Sequence, residues 1–303
     1  MIDLFRASEY ARLHQGKVMV FKVGGACLAK PNQRAALARQ ISVAAAFGVR
    51  AVLVHGAGPQ TSELQTLLGE IPQKVDGRRV TSELGLRALR LAGMGVVNSD
   101  LCASLTAEGA LAIGLCAAGA DLVQAKRREP METSQGSVDF GCVGDVVSVN
   151  AAPLQALLAA DLIPVVAPPA SDGAGGFLNV NADSLAASIA MALGAEKLIL
   201  VSDTPGILSD PKDRHSLLST LSLTQLNSLL EGGALQDGMA VKAMAIRAAL
   251  SGGVSRVHVV SGLSEDALLG ELYTTQGTGT LVTSEALEPT PAAAGFSDVP
   301  QTA

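Results

Sequence analysis

Residues 17–25, Lys-Val-Met-Val-Phe-Lys-Val-Gly-Gly, read as a buried strand that ends in a lysine and two glycines. Residues 51–58, Ala-Val-Leu-Val-His-Gly-Ala-Gly, repeat the idea one helix later. Apolar runs of this kind suit strands covered on both faces, which is the setting of a parallel sheet. Each run passes into small residues and then a helical pattern, so two phosphate-cradling turns would lie side by side on one sheet. Glycine lets backbone N–H groups approach an anion, and the helix start behind it adds partial positive charge. The pair points to phosphoryl transfer. Either turn alone is equally an ordinary strand-to-helix turn of an α/β fold.

Further along, strands and helices keep alternating. A weakly amphipathic helix is expected over 3–14, strands over 17–23 and 50–55, helices over 33–47 and 59–68, and a hairpin or loop over 72–80. A long helical region follows from 82 to about 109. Strands are expected at 112–116, 121–125, 143–149, 162–166, 197–201 and 256–260, with helices at 153–160, 182–193, 222–231 and 239–251. The alternation predicts an α/β fold with a mostly parallel central sheet covered on both faces. The turn-rich segment 168–177 marks the expected lobe boundary, and residues 284–303, rich in Pro, Ala, Ser and Thr, read as a disordered tail.

Composition narrows the partners. Apolar residues make up 48% of 303, enough for a substantial core in one large domain or two lobes. A net charge of −6, no Trp and only two Tyr argue against a nucleic-acid partner. Cys27, Cys102, Cys116 and Cys142 are scattered, and His14, His55, His215 and His258 are isolated, so no zinc pattern emerges. Unpaired cysteines fit a reducing compartment, and no apolar run is long enough to span a membrane. The expectation is a cytoplasmic protein without a membrane partner.

Three polar signals stand out. Lys22 sits at the end of an apolar strand beside Gly24 and Gly25, where a buried amine needs an anion to meet it. Asp237-Gly238-Met239-Ala240-Val241-Lys242 opens a helix, with Lys242 expected in its first turn, where an anion would offset the helix dipole. Asn179-Val180-Asn181-Ala182-Asp183 places two amides on one side of an extended segment and a carboxylate at the following helix start. One of these is explained as a helix cap. The carboxylate, set between two lysines, would hold both in position. Gly77-Arg78-Arg79-Val80-Thr81 offers an arginine suited to bidentate capture of a carboxylate, or else a solvated basic loop. Ser202-Asp203 and Gly206 follow an apolar strand, where ligands settle in open sheets. His55 reads as a satisfied strand-end histidine. A P-loop and a dinucleotide-binding fingerprint are both missing.

Together, Lys22-Val-Gly-Gly, His55-Gly-Ala-Gly-Pro-Gln, Gly77-Arg-Arg-Val-Thr, Asn179-Val-Asn-Ala-Asp, Ser202-Asp…Gly-Ile-Leu and Asp237-Gly-Met…Lys242 resemble the amino-acid kinase family, in order, from about residue 9 to 283. The closest likeness is to the branch acting on N-acetyl-L-glutamate in arginine biosynthesis. The resemblance implies a three-layer αβα sandwich with an N-terminal helix (1–15), a substrate-binding and dimerisation lobe (16–172) and an ATP-binding lobe (173–283). It implies ATP-dependent phosphorylation of the γ-carboxylate, with Mg²⁺ held mainly by the nucleotide phosphates. Lys22 and Lys242 would stabilise the transition state, and Asp183 would organise them. Ala57, Gly58, Arg79, Asn179 and Asn181 would meet the acyl amino acid; Gly24, Gly25, Asp203, Gly206, Gly238 and Met239 would shape the nucleotide site. The chain departs at Ala57, where many relatives have glycine, and after Cys116, where Ala-Ala-Gly-Ala-Asp replaces a Lys-Asp-Gly.

Arginine-inhibited relatives carry an N-terminal helix with a tyrosine and a C-terminal His…Gly…Glu…Gly-x-Gly-Thr pattern. Tyr10, His258, Glu271 and Gly277 match it, which implies an L-arginine effector and a homo-oligomer, a dimer or a hexamer built as a trimer of dimers. Competing readings are a kinase for N-acetyl-aminoadipate or a carrier-linked amino acid, and a non-catalytic arginine-sensing lobe.

Overall fold

Buried alternation dictates the centre of the molecule. Met19, Phe21 and Val23 of the first strand join one hydrophobic cluster, while Val20 joins the other on the opposite face. Neighbouring strands repeat this, with Ala51 and Leu53 against Val52 and Val54, and Ile199 and Val201 against Leu198 and Leu200. Successive side chains in a strand point to opposite faces, so a sheet apolar at every position must be covered twice.

The computed structural model describes residues 4–285. The tail expected from 284 onward therefore lies outside the described residues, apart from its first two positions. Helix α1 Leu4–His14 leads into β1 Val18–Val23, α2 Pro31–Ala46, β2 Arg50–His55 and α3 Gly58–Leu67. A hairpin of β3 Gln73–Val75 and β4 Arg78–Val80 follows, then α4 Glu83–Arg90, a π-helical stretch Leu91–Asn98 and α5 Ser99–Ala107. Next come β5 Ala112–Cys116, β6 Val123–Arg127, β7 Met131–Thr133, β8 Gly136–Val138 and β9 Gly144–Val149. Helix α6 Ala152–Ala159 precedes β10 Ile163–Ala167, β11 Pro169–Ser171 and β12 Phe177–Asn179. The remainder is α7 Ala182–Ala192, β13 Lys197–Ser202, β14 Thr220–Ser222, α8 Leu223–Glu231, α9 Asp237–Ser251, β15 Arg256–Ser261, α10 Ala267–Tyr273 and β16 Thr280–Thr283.

Eight strands form the main sheet in the order β14-β16-β15-β13-β1-β2-β10-β5. Every pair is parallel except β15 with β16. β1 lies at the middle, between β2 and β13, so both halves of the chain meet along it. Helices α6 to α9 pack on one face; α1, α2, α4, α5 and α10 pack on the other.

Two expectations change. The strand anticipated at 121–125 pairs with β9 and β11 in a separate four-stranded sheet rather than in the main one. The segment 168–177 is not an open turn throughout. Its ends pair antiparallel, Pro169 opposite Asn179, and the Asp172 carboxylate accepts the N–H groups of Ala174 and Gly176 at 2.8 Å.

The β3–β4 hairpin turns on Asp76 (φ 47°) and Gly77 (φ 73°), the left-handed pair of a two-residue hairpin loop. A methyl at Gly77 would come within 3.0 Å of the Asp237 backbone at the start of α9, so glycine permits both the turn and the contact.

Candidate active site

Lys22 shares a strand face with Val20, toward α7 and α9, and sits near the carboxyl end of β1. Asp183 is the second residue of α7. Lys242 lies in the second turn of α9, not the first, because the helix begins at Asp237. There it shares the inward face with Ala245, Ile246 and Ala249, which are buried.

These three side chains converge. The Lys22 ammonium lies 2.9 Å and the Lys242 ammonium 3.2 Å from the same oxygen, Asp183 Oδ1. All three residues are at least nine-tenths buried, at 7%, 5% and 7% exposure for Lys22, Lys242 and Asp183. Burial alone would raise the Asp183 pKa, but the two lysines outweigh it and hold the carboxyl down at about 2. Burial and repulsion from Lys22 lower that of Lys242, against the pull of Asp183 and, more weakly, of the exposed Asp203. Two cations share one anion, so the cluster carries a surplus positive charge away from water. Such a charge is costly unless an anion arrives.

The cluster opens into a cavity of about 500 Å³ lined by Lys22 and Asp183 together with Ala57, Gly58, Arg79, Asn179 and Asn181. The two glycine turns meet there. A methyl at Gly25 would lie 3.0 Å from the Gly58 nitrogen, and Gln60 Nε2 donates to the Gly25 carbonyl at 2.9 Å. Ala57, the departure from the triple-glycine pattern, is buried in the core beneath the sheet's opposite face, with its methyl close to Gly93. Helix α3 starts at Gly58, its amino end directed to this turn.

Arg79 donates to Gln65 Oε1 (3.0 Å), the Gly58 carbonyl (2.9 Å) and Ser62 Oγ (2.5 Å), all neutral acceptors. Its charge is therefore held without a carboxylate partner among the described residues. Asn179 donates to Thr81 Oγ1 at 3.0 Å. Asn181 is the cap of α7. Its Oδ1 accepts the N–H groups of Asp183 and Ser184, so this oxygen is not free for a ligand. His55 is buried, its Nε2 3.1 Å from Asn98 Nδ2, and burial lowers its pKa to about 4.

The residues expected at a nucleotide site are less gathered. Gly25 and Gly238 line the cavity. The Gly24 N–H instead donates to the Val201 carbonyl at 3.0 Å, which takes that amide away from any phosphate. At Gly206 a methyl would come within 2.6 Å of both Leu217 and Thr280, so this glycine serves packing. Asp203 is exposed and accepts from Ser202 Oγ at 3.2 Å. Met239 packs on the core.

Several cavity residues went unnoticed in the sequence: Thr61, Lys74, Arg128, Val143 and Asp145. The Gly141-Cys-Val-Gly-Asp run that leads into β9 held a signal, since its glycines mark close backbone approaches. Among the described residues, no three His, Cys, Asp or Glu side chains are placed to hold a metal ion. The buried acid of the site, Asp183, is already shared by two lysines.

The expected effector residues lie elsewhere, between α1 and α10. His258 Nδ1 is 2.6 Å from Glu271 Oε1, and Glu271 Oε2 accepts the N–H groups of Thr278 (2.7 Å) and Gly279 (2.9 Å). Of the four, Gly277 alone lines the adjoining cavity of about 580 Å³, beside Tyr273 and Arg6; the Tyr10 ring lies tilted against His14, with centroids 6.2 Å apart.

A central parallel sheet with two lysines at its carboxyl edge suits an enzyme that handles anionic small molecules. The chain belongs to the amino acid kinase family, which matches it over residues 17–261. An acetylglutamate kinase of Myxococcus xanthus is 41% identical over 93% of this chain and 94% of its own length. One from Synechococcus sp. is 41% identical over 91% and 86%. In structure, the chain is similar to N-acetylglutamate synthase from Neisseria gonorrhoeae complexed with coenzyme A and L-arginine, at a TM-score of 0.80 and 29% identity over 93% of this chain. The chain spans 65% of that synthase chain's length.

Proposed function

We propose that this protein is a kinase that transfers the γ-phosphoryl group of ATP to the γ-carboxylate of N-acetyl-L-glutamate. The observation that carries the reading is the surplus buried cation of Lys22, Lys242 and Asp183, open to a cavity that Arg79 also lines. The acetylglutamate kinases it resembles over nearly their whole length support the choice of substrate.

The chemistry needs little from the protein beyond placement. A γ-carboxylate has a pKa of about 4.3 and is already ionised at neutral pH. One of its oxygens forms a bond to the γ-phosphorus while the bond from that phosphorus to the bridging oxygen of the departing ADP breaks. No proton moves. Asp183 could not serve as a base, being held ionised and bonded to two ammonium groups. His55 is buried, neutral and paired with Asn98. Lys22 and Lys242 instead offset the mutual repulsion of two anions and the charge on the transferring group. Arg79 clamps the α-carboxylate, the amino end of α3 receives the substrate through Ala57 and Gly58, and Gly25 and Gly238 let the phosphates approach. Among the described residues no cage of carboxylates is placed for Mg²⁺, so the metal would reside on the nucleotide phosphates, and no step above depends on it.

The proposed lobes would divide along the sheet. Strands from residues 16–172 would support the acyl amino acid, and those from 173–283 the nucleotide, with β1 and β13 meeting between them. An assay of ADP release with N-acetyl-L-glutamate, N-acetyl-aminoadipate and glutamate tests the assignment; preference for the longer acid would replace it. L-arginine is proposed as an effector at the α1–α10 junction, in a dimer or a hexamer. Activity indifferent to millimolar arginine, with a dimer mass by light scattering, would reject that part.

A further inference from the structure

Arg78 has no assigned work in the reading above, and its surroundings are unusual. It precedes Arg79 on β4, and neighbouring residues of a strand face opposite ways. Arg79 turns to α3 and finds three oxygens there. Arg78 turns toward the β7–β8 hairpin, where, among the described residues, its one hydrogen bond runs from Nη1 to the Met131 thioether sulfur, at 3.8 Å. Sulfur is a weak acceptor. The guanidinium is partly buried, and burial and repulsion from Arg128 work against its charge more than the nearby Asp145 and Asp76 support it.

The nearby acids are committed. Asp145 forms an ion pair with Arg128, and Asp76 accepts from the Ser134 hydroxyl and amide. Arg78 nevertheless lines the same cavity as Lys22, Asp183 and Arg79. It also lines the adjoining space of about 450 Å³ that reaches the first turns of α9 at Asp237, Ala240 and Val241. It therefore stands, on the β3–β4 hairpin, between the cavity of the two lysines and the helix that carries Lys242. The turn immediately before it, at Gly77, already touches the start of that helix.

We propose that Arg78 is a further oxyanion-binding residue of this site, a second guanidinium beside Arg79 that pairs with a carboxylate or phosphate of the bound substrates. The inference rests on the kinase reading. A partly desolvated guanidinium whose only hydrogen bond among the described residues is to a thioether gains a full charge-assisted hydrogen bond when an oxyanion enters. The two sources of that oxyanion are the acyl amino acid and the nucleotide, and they separate experimentally.

The test uses Arg78→Met and Arg78→Lys in the full chain, with calorimetric titration of N-acetyl-L-glutamate and of ADP alongside steady-state kinetics. Arg78→Met is expected to weaken one of the two ligands by about tenfold while kcat changes less, and Arg78→Lys to recover part of the loss. Weakened acyl amino acid binding assigns the carboxylate; weakened ADP binding assigns a phosphate. Affinities for both ligands matching wild type in Arg78→Met, at an unchanged melting temperature, would overturn the assignment. Should Arg78→Met fail to fold, Arg78→Lys decides, since loss of the fork without loss of charge must still lower one affinity. A wild-type chain that binds neither ligand fails the kinase reading instead, which is a different outcome.

Discussion

Two buried polar clusters lie on opposite faces of the same sheet, and they are built differently. At the carboxyl end of β1, two ammonium groups lean on one oxygen of Asp183, leaving a surplus of positive charge beside a cavity. Between α1 and α10, Glu271 is saturated by His258 and two backbone amides, and Lys197 and Arg256 are offset by Glu271 and Glu196. The second cluster is balanced in charge; the first is completed only by an incoming anion. A protein interior tolerates an unbalanced cation where a ligand will neutralise it, and that separates a reaction site from a polar junction.

The sharpest way to break this contrast is Asp183→Asn. It strands two ammonium groups, and we expect a loss of about 3–5 kcal/mol in urea unfolding. Lys197→Met at the balanced cluster should instead maintain or raise stability, because burial and Arg256 already depress that lysine to about 8. Equal costs for the two variants would erase the distinction. On turnover, Lys22→Ala and Lys242→Ala should each lower kcat by roughly 10²–10³-fold in an ADP-release assay. Wild-type rates in either would remove the lysines from the mechanism.

Arg79→Ala should raise KM for the acyl amino acid by about 10–100-fold, with a smaller change in kcat. An effect confined to kcat would place Arg79 on the reacting group instead. Acid titration of folding stability sharpens the comparison further. His14, beside the balanced cluster, is pushed down to about 4 by burial and then by Lys197, and His55 to a similar value by burial. Groups depressed in the folded state contribute stability that is whole above their free pKa and is lost as pH falls through the folded value. The histidine step should therefore run from about pH 6.5 down to 4. The Asp183 step should run from about pH 4 toward 2, overlapping the loss of Glu271, which His258 and two amides also hold down, so Asp183→Asn should shrink the lower step and leave the histidine step unchanged. The smallest effect is at Asn181. Removing this cap with Asn181→Ala should cost about 1 kcal/mol, and Asn181→Ser should restore it. A KM raised equally in both variants would mean that Asn181 also touches substrate.

Much of the frame was legible. The apolar runs at β1, β2, β10, β13 and β15 left few alternatives to a buried parallel sheet, and the long helices fell within a few residues of their expected bounds. Short elements escaped notice. β7, β8, β11, β12 and β14 have three residues each, too few to show a period, and α10 is buried at six of its seven positions, so it has no polar face to reveal a helix. The glycines divide along the same line. Gly25 opens on the cavity, whereas Gly24 donates to Val201 and Gly206 makes room for Thr280. A glycine looks the same in sequence whether its missing side chain admits a ligand or a neighbouring residue.

From its amino-acid order alone this chain was bound to make alternating strands and helices with glycine turns, because local apolar patterning and backbone freedom act over a few residues. That order also contained Lys22, Asp183 and Lys242, far apart along the chain. Only the folded arrangement decided that all three share one oxygen. Strand parity turns Lys22 toward α7 and α9, helix periodicity turns the other two back to meet it, and charge repulsion acts through space rather than along the chain.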